Sequence, residues 1–76
     1  MDGKPTIASS ARRHQVSDVD IHHAFDHPMW IEDLDDGFLM AVGPGTTGRL
    51  LEIGIVEGAD DPVVVHAMPA RAKYVR

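Results

Sequence analysis

The chain contains no cysteine, which removes both a disulfide framework and any thiolate metal site. It has no apolar run near the ~20 residues that a membrane span needs. Its first residues, Met1-Asp2-Gly3-Lys4-Pro5, lack the apolar core of a signal peptide. A cytoplasmic protein without membrane association is the expectation. Positive charge is also scarce: the net charge is −5, which counts against tight, sequence-independent nucleic-acid binding built on clustered Lys and Arg. No internal repeat or low-complexity segment is present. The run Gly43-Pro44-Gly45-Thr46-Thr47-Gly48 lacks the lysine of a phosphate loop and reads as a flexible loop between strands. The cluster Asp33-Leu34-Asp35-Asp36 has the wrong spacing for a calcium loop. No Ser/His/Asp elbow is visible.

What remains is 76 residues, a single domain over 1–76 whose first five residues read as frayed. A chain this short buries only about 60% of its unfolded surface. It holds one small core, and such chains often gain stability from a second copy or a partner, so a dimer or a hetero-oligomer fits. Charge is unevenly placed. Acid concentrates between Asp18 and Asp36 and again from Glu57 to Asp61, while base sits at Arg12-Arg13 and from Arg71 to Arg76. A local positive face is therefore compatible with the acidic total.

The pattern predicts a short helix over Thr6 to His14 and a better-marked one beginning at Ser17. There the Ser17 hydroxyl can cap the first turn, Asp18 and Asp20 suit the positive end, and Val16 and Ile21 take the staple positions. Pro28 ends it. The period then changes to two. Strands are expected at Met29–Leu34, Phe38–Val42, Arg49–Glu57 and Pro62–Met68, with turns at Asp35-Asp36-Gly37, Gly43–Gly48 and Gly58–Asp61. Pro69 stops the ladder, and Ala70 to Arg76 suits one last helical turn. The expected fold is α+β: two N-terminal helices packed on a four-stranded antiparallel meander, with a short C-terminal helical tail.

The most informative stretch runs from Val63 to Tyr74. A strand-like run carries His66, breaks at Pro69, and then delivers Arg71, Lys73 and Tyr74 within four residues. An acid/base group, two cations and a phenol at a sheet edge suit work on a phosphodiester. A register that sets Val56 opposite Pro62 also sets Glu52 opposite His66, with Cβ atoms about 5 Å apart. The alternative is an ordinary cross-strand polar pair on the solvent face. Coupled titrating groups cluster at functional sites, so Glu52 and His66 join Arg71 and Lys73 as catalytic candidates. Arg12, Arg13, His14 and Tyr74 are the candidates for RNA contact. His14, closing a helix, equally suits dipole compensation there. His23 and His27, spaced i, i+4, could face a zinc or nickel ion, but with no further ligand at suitable spacing they read better as a solvated helix face. No metal or other cofactor is expected.

The segment Ala11-Arg12-Arg13-His14-Gln15-Val16-Ser17, followed by a helix closing in Phe25-Asp26-His27-Pro28, resembles the opening of the BrnT-like toxins of bacterial type II toxin–antitoxin systems. The ending Met68-Pro69-Ala70-Arg71-Ala72-Lys73 is similar to that family's strand exit. The resemblance covers about residues 11 to 73. It implies a RelE-like fold in the RelE/ParE-like group and a metal-independent endoribonuclease. It also implies a cognate DNA-binding antitoxin, of ribbon-helix-helix or helix-turn-helix type, that neutralises the toxin. His14 and Arg71 occupy the matching positions. RNA would be cut by attack of its 2′-hydroxyl on the adjacent phosphorus, with His66 or Glu52 as base, His66 or Tyr74 as acid, and Arg71 with Lys73 as charge clamp. The rival expectation is a non-catalytic module of the same fold that binds an antitoxin or a topoisomerase, or an inactivated toxin.

Overall fold

Short, mostly apolar runs after Pro28 make strands, and in the computed structural model, which describes residues 5–57 and 61–75, they assemble into one sheet. The elements are β1 (Thr6–Ile7), α1 (Asp18–Asp26), β2 (Trp30–Asp33), β3 (Phe38–Pro44), β4 (Leu50–Val56) and β5 (Val63–Pro69). Two single 3-10 turns occur, at Ser9–Arg12 and Ala72–Tyr74. The sheet order is β1-β5-β4-β3-β2, with β1 parallel to β5 and the other pairs antiparallel. The frayed start expected for residues 1–5 (Pro5 apart), the turn at 58–61 (Asp61 apart) and Arg76 lie outside the described residues. Among the described residues no helix is long and apolar enough to cross a membrane.

The expected fold class is overturned. Among the described residues, two helices on a four-stranded antiparallel meander are replaced by one α-helix and a five-stranded mixed sheet. The difference lies in residues 6–14. Thr6 and Ile7 are β-branched and favour extended backbone, and Ser9 and Ser10 compete with helical hydrogen bonds. The open edge of β5 supplies the alternative. Thr6 and Ile7 pair with Val63 and Val64, the Ala8 amide donates to the Val64 carbonyl at 2.9 Å, and the Ser10 hydroxyl donates to the Val65 carbonyl at 2.7 Å. An edge that would otherwise offer unpaired backbone groups is thereby covered.

α1 forms where its caps dictate. The Ser17 hydroxyl accepts the Asp20 amide at 3.2 Å, and Asp18 and Asp20 occupy the first turn, where the positive end of the helix favours carboxylates. Asp20 also pins the following loop. One of its oxygens accepts the Thr46 amide at 2.7 Å and the Thr46 hydroxyl at 2.6 Å. These bonds hold the carboxyl below its ordinary pKa. The Gly-rich loop is thus tied to the helix, where the sequence suggested flexibility. Ile21 and Ala24, both wholly buried, pack on Ile53, Leu51 and Ala41 of the sheet. Each fully buried isoleucine contributes roughly 2–3 kcal/mol of transfer free energy. The helix sits close because Gly43 has no side chain. A Cβ there would lie 2.6 Å from the Ala24 carbonyl oxygen.

The register divides β3 and β4 cleanly. Leu39, Ala41, Leu51, Ile53 and Ile55 face α1, while Met40, Val42, Glu52 and Gly54 face the other way. Yet Met40 and Val42 are only 4% and 1% exposed. On this second face the C-terminal 3-10 turn is held by a 2.7 Å bond from the indole N–H of Trp30 to the Tyr74 carbonyl. One helix thus covers part of one sheet face, and the C-terminal segment returns as a strap to the other.

Gln15, between the first 3-10 turn and α1, has φ +63°. An L-residue in this left-handed region is strained by roughly 1 kcal/mol or more. Gln15→Gly relieves that strain at the expense of a more flexible unfolded chain. A net gain of about 0.5–1 kcal/mol is expected, read as a higher urea midpoint at unchanged slope.

Candidate acid–base site on the second sheet face

Glu52 is the one buried charged side chain among the described residues, with no accessible surface. Its neighbours satisfy it fully. The Arg71 backbone amide donates to Oε1 at 2.9 Å. The guanidinium spans both oxygens, Nε lying 3.1 Å from each and Nη2 2.6 Å from Oε2. His66 Nε2 lies 2.9 Å from Oε2. Burial pushes the Glu52 carboxyl up, but the hydrogen bonds from Arg71 and His66 and the Arg71 charge outweigh it and bring the pKa down to about 2. The same bonds raise Arg71.

The expected register does not occur. Glu52 lies opposite Met68, and His66 lies opposite Gly54. The pair meets diagonally across the ladder, and two features of the chain make this happen. First, the β4–β5 register shifts beside Gly54 and Ile55: Ile55 pairs with Val64, but Gly54 pairs with His66, so Val65 is an extra residue. Without that bulge the imidazole would turn to the α1 face with Val64. Second, Gly54 leaves space for it. A Cβ at that position would stand 3.0 Å from the His66 Cβ and 3.0 Å from the Phe38 ring. The sequence carried a signal for this, because a glycine inside a strand marks a bulge or a close approach.

An ionised carboxylate only accepts hydrogen bonds. Glu52 at about 2 is ionised at neutral pH, so His66 Nε2 must carry the proton it shares with Oε2. Neutral His66 is therefore the Nε2–H tautomer, and Nδ1 holds its lone pair. The imidazole keeps 27% of its side-chain surface exposed and Arg71 keeps 46%, against none for Glu52. Chemistry on an external molecule thus falls to His66 and Arg71. A general-base role for Glu52 does not fit this arrangement, since its oxygens are covered and its basicity is low. It orients the other two.

His14 joins the cluster with its ring edge-on to His66 at 5.9 Å between centroids. Tyr74 packs under the cations, with the Arg71 and Lys73 charges 5.5 and 5.1 Å from its ring centre. Arg13 is exposed. Arg12 stands apart, engaged by Asp18 through Nε and Nη2 at 2.9 and 2.8 Å. Its structural work is to link the 3-10 turn to α1 across Gln15. His23 and His27 stack at 4.4 Å, and each directs Nδ1 at a backbone carbonyl, of Pro44 and His23 respectively. No group of three or more metal-ligating side chains forms among the described residues.

The folded-state pKa of Glu52 is depressed from 4.5 to about 2. Its contribution to stability is complete above about pH 5 and is lost as pH falls toward 2. The size is on the order of 3 kcal/mol. Denaturant titrations of the natural chain and of Glu52→Gln should differ by that pH-dependent component and coincide in slope of stability with pH above pH ~5. Gly54→Ala should cost about 1–3 kcal/mol through overpacking and should separate the imidazole from Glu52, visible as a changed His66 tautomer in nitrogen NMR.

Compared with protein-family models, with curated proteins and with solved structures, the chain matches none.

Proposed function

We propose that this chain is a metal-independent endoribonuclease centred on His66, with Arg71 as its phosphate contact, acting as the toxin of a bacterial toxin–antitoxin pair. The observation that carries the catalytic part is the buried Glu52 carboxylate, which fixes the His66 tautomer and holds a guanidinium beside it. His66 Nδ1 takes the proton of the RNA 2′-hydroxyl as its oxygen attacks the adjacent phosphorus. The bond from phosphorus to the 5′-oxygen breaks, and His14, protonated, gives that oxygen its proton. The products are a 2′,3′-cyclic phosphate end and a free 5′-hydroxyl. Arg71 uses Nη1, the guanidinium nitrogen not engaged by Glu52, together with Lys73, against the charge that develops on phosphate. Lys73 and Tyr74 shape the rim, and Arg13 adds a cation near His14. Glu52 is a positioning residue. The toxin role, and a DNA-binding antitoxin of ribbon-helix-helix or helix-turn-helix type as partner, rest on the resemblance of residues 11–17, 25–28 and 68–73 to BrnT-like toxins.

A second reading is a non-catalytic binding module. It is favoured by the state of Arg71, whose Nε and Nη2 are already committed to Glu52, which leaves a weaker clamp than a free guanidinium offers. The two readings separate on a short RNA oligonucleotide with a single 2′-hydroxyl. The nuclease cuts it in the presence of EDTA, leaves a cyclic phosphate, and spares the all-deoxy control. His66→Ala and His14→Ala each lose roughly 10²–10⁴-fold in rate while remaining folded. Full activity in both variants would remove the assignment, and absence of any cleavage by the natural chain would leave the binding module.

A further inference from the structure

The sheet is wider than its helix layer. Five strands spaced about 4.8 Å apart make a surface about 20 Å across, enough for two helices of about 10 Å each. The chain supplies one helix, α1, and a 3-10 turn over the β5 side. Beside α1, toward β2, the sheet is left open as a groove of about 190 Å³. Its floor is Ile31, Leu39, Ala41 and Ile55, and Phe25 and Pro28 form one wall. Ile31 is 52% exposed there, although the register places it on the same face as the buried Ala41.

The charge around this groove has one sign. Glu57 lines it, Asp33 shares its face opposite Leu39, and Asp26 and Asp61 adjoin its walls at Phe25 and Pro62; all four are exposed. No Lys or Arg occurs between Arg13 and Arg49, or between Arg49 and Arg71, so α1, β2, β3 and β5 contribute neither to balance them. We infer that the groove is the docking site of an amphipathic helix from a partner protein, with an apolar stripe facing the sheet and Lys or Arg along its flanks. Such a helix completes the second half of the helix layer, and its cations meet the acidic rim. A two-fold pairing of this chain through the same groove would instead bring two acidic rims together. The site lies on the α1 face, opposite Glu52 and His66, and the inference does not depend on the ribonuclease reading.

The probe is a labelled Leu/Lys amphipathic peptide of about fifteen residues, followed by fluorescence anisotropy with the full chain. Expected is saturable binding at least roughly tenfold tighter than for a scrambled peptide of equal composition or a Leu/Glu counterpart. Binding should weaken as salt rises from about 0.05 M to about 0.3 M. Ile31→Gln and Glu57→Lys, both at exposed positions, should each weaken it severalfold while leaving the circular dichroism of the protein unchanged. Equal binding of the scrambled peptide, or indifference to both substitutions, would overturn the inference. So would an extended rather than helical bound peptide, or self-association that Ile31→Gln abolishes.

Discussion

A carboxylate with no accessible surface obliges the chain around it to supply donors, because an unpaired buried charge costs several kcal/mol. In this protein that obligation falls on segments distant in sequence. Glu52 on the central strand β4 draws the Arg71 backbone and guanidinium down from the C-terminal end and the imidazole of His66 across from β5. The strap that follows Arg71 is then fastened to the same face at Trp30. The tail is therefore anchored from a charge outward.

The bulge at Val65 ties this network to the other face. By adding one residue to β5 it keeps Val64 and Ala67 in the core with Ile53 and Ile55 while sending His66 to the opposite side. The carbonyl of the extra residue takes the Ser10 hydroxyl, so the segment covering the β5 edge also fastens the irregularity. Edge protection, core packing and the placement of the imidazole share one local distortion.

Much of this was legible in the chain, for identifiable reasons. Ser17, Asp18 and Pro28 delimit α1 because capping and proline chemistry are local. The strands after Pro28 follow from short apolar runs set between turn signals, and the Asp35-Asp36-Gly37 turn from residues that tolerate the positive φ they adopt. Glu52, His66 and Arg71 do come together, but by a diagonal contact that simple pairing arithmetic missed, since a bulge changes the count by one. Residues 6–14 misled because a helical composition was outweighed by an unfilled sheet edge contributed from the far end of the chain. The pairing of Glu52 was hidden for the same reason: its Arg71 donors come from beyond the end of β5, in a segment with no periodic pattern of its own.

The bond from Trp30 to the Tyr74 carbonyl has a practical side. Trp30 is the single tryptophan of the chain, and its indole is fastened to the strap rather than to the helix layer. Its emission is thus an intrinsic optical gauge of whether the C-terminal segment is seated. Release of the strap would wet the indole and redden its fluorescence while the α1 side stayed packed, so one chromophore distinguishes partial opening of the molecule from its complete unfolding.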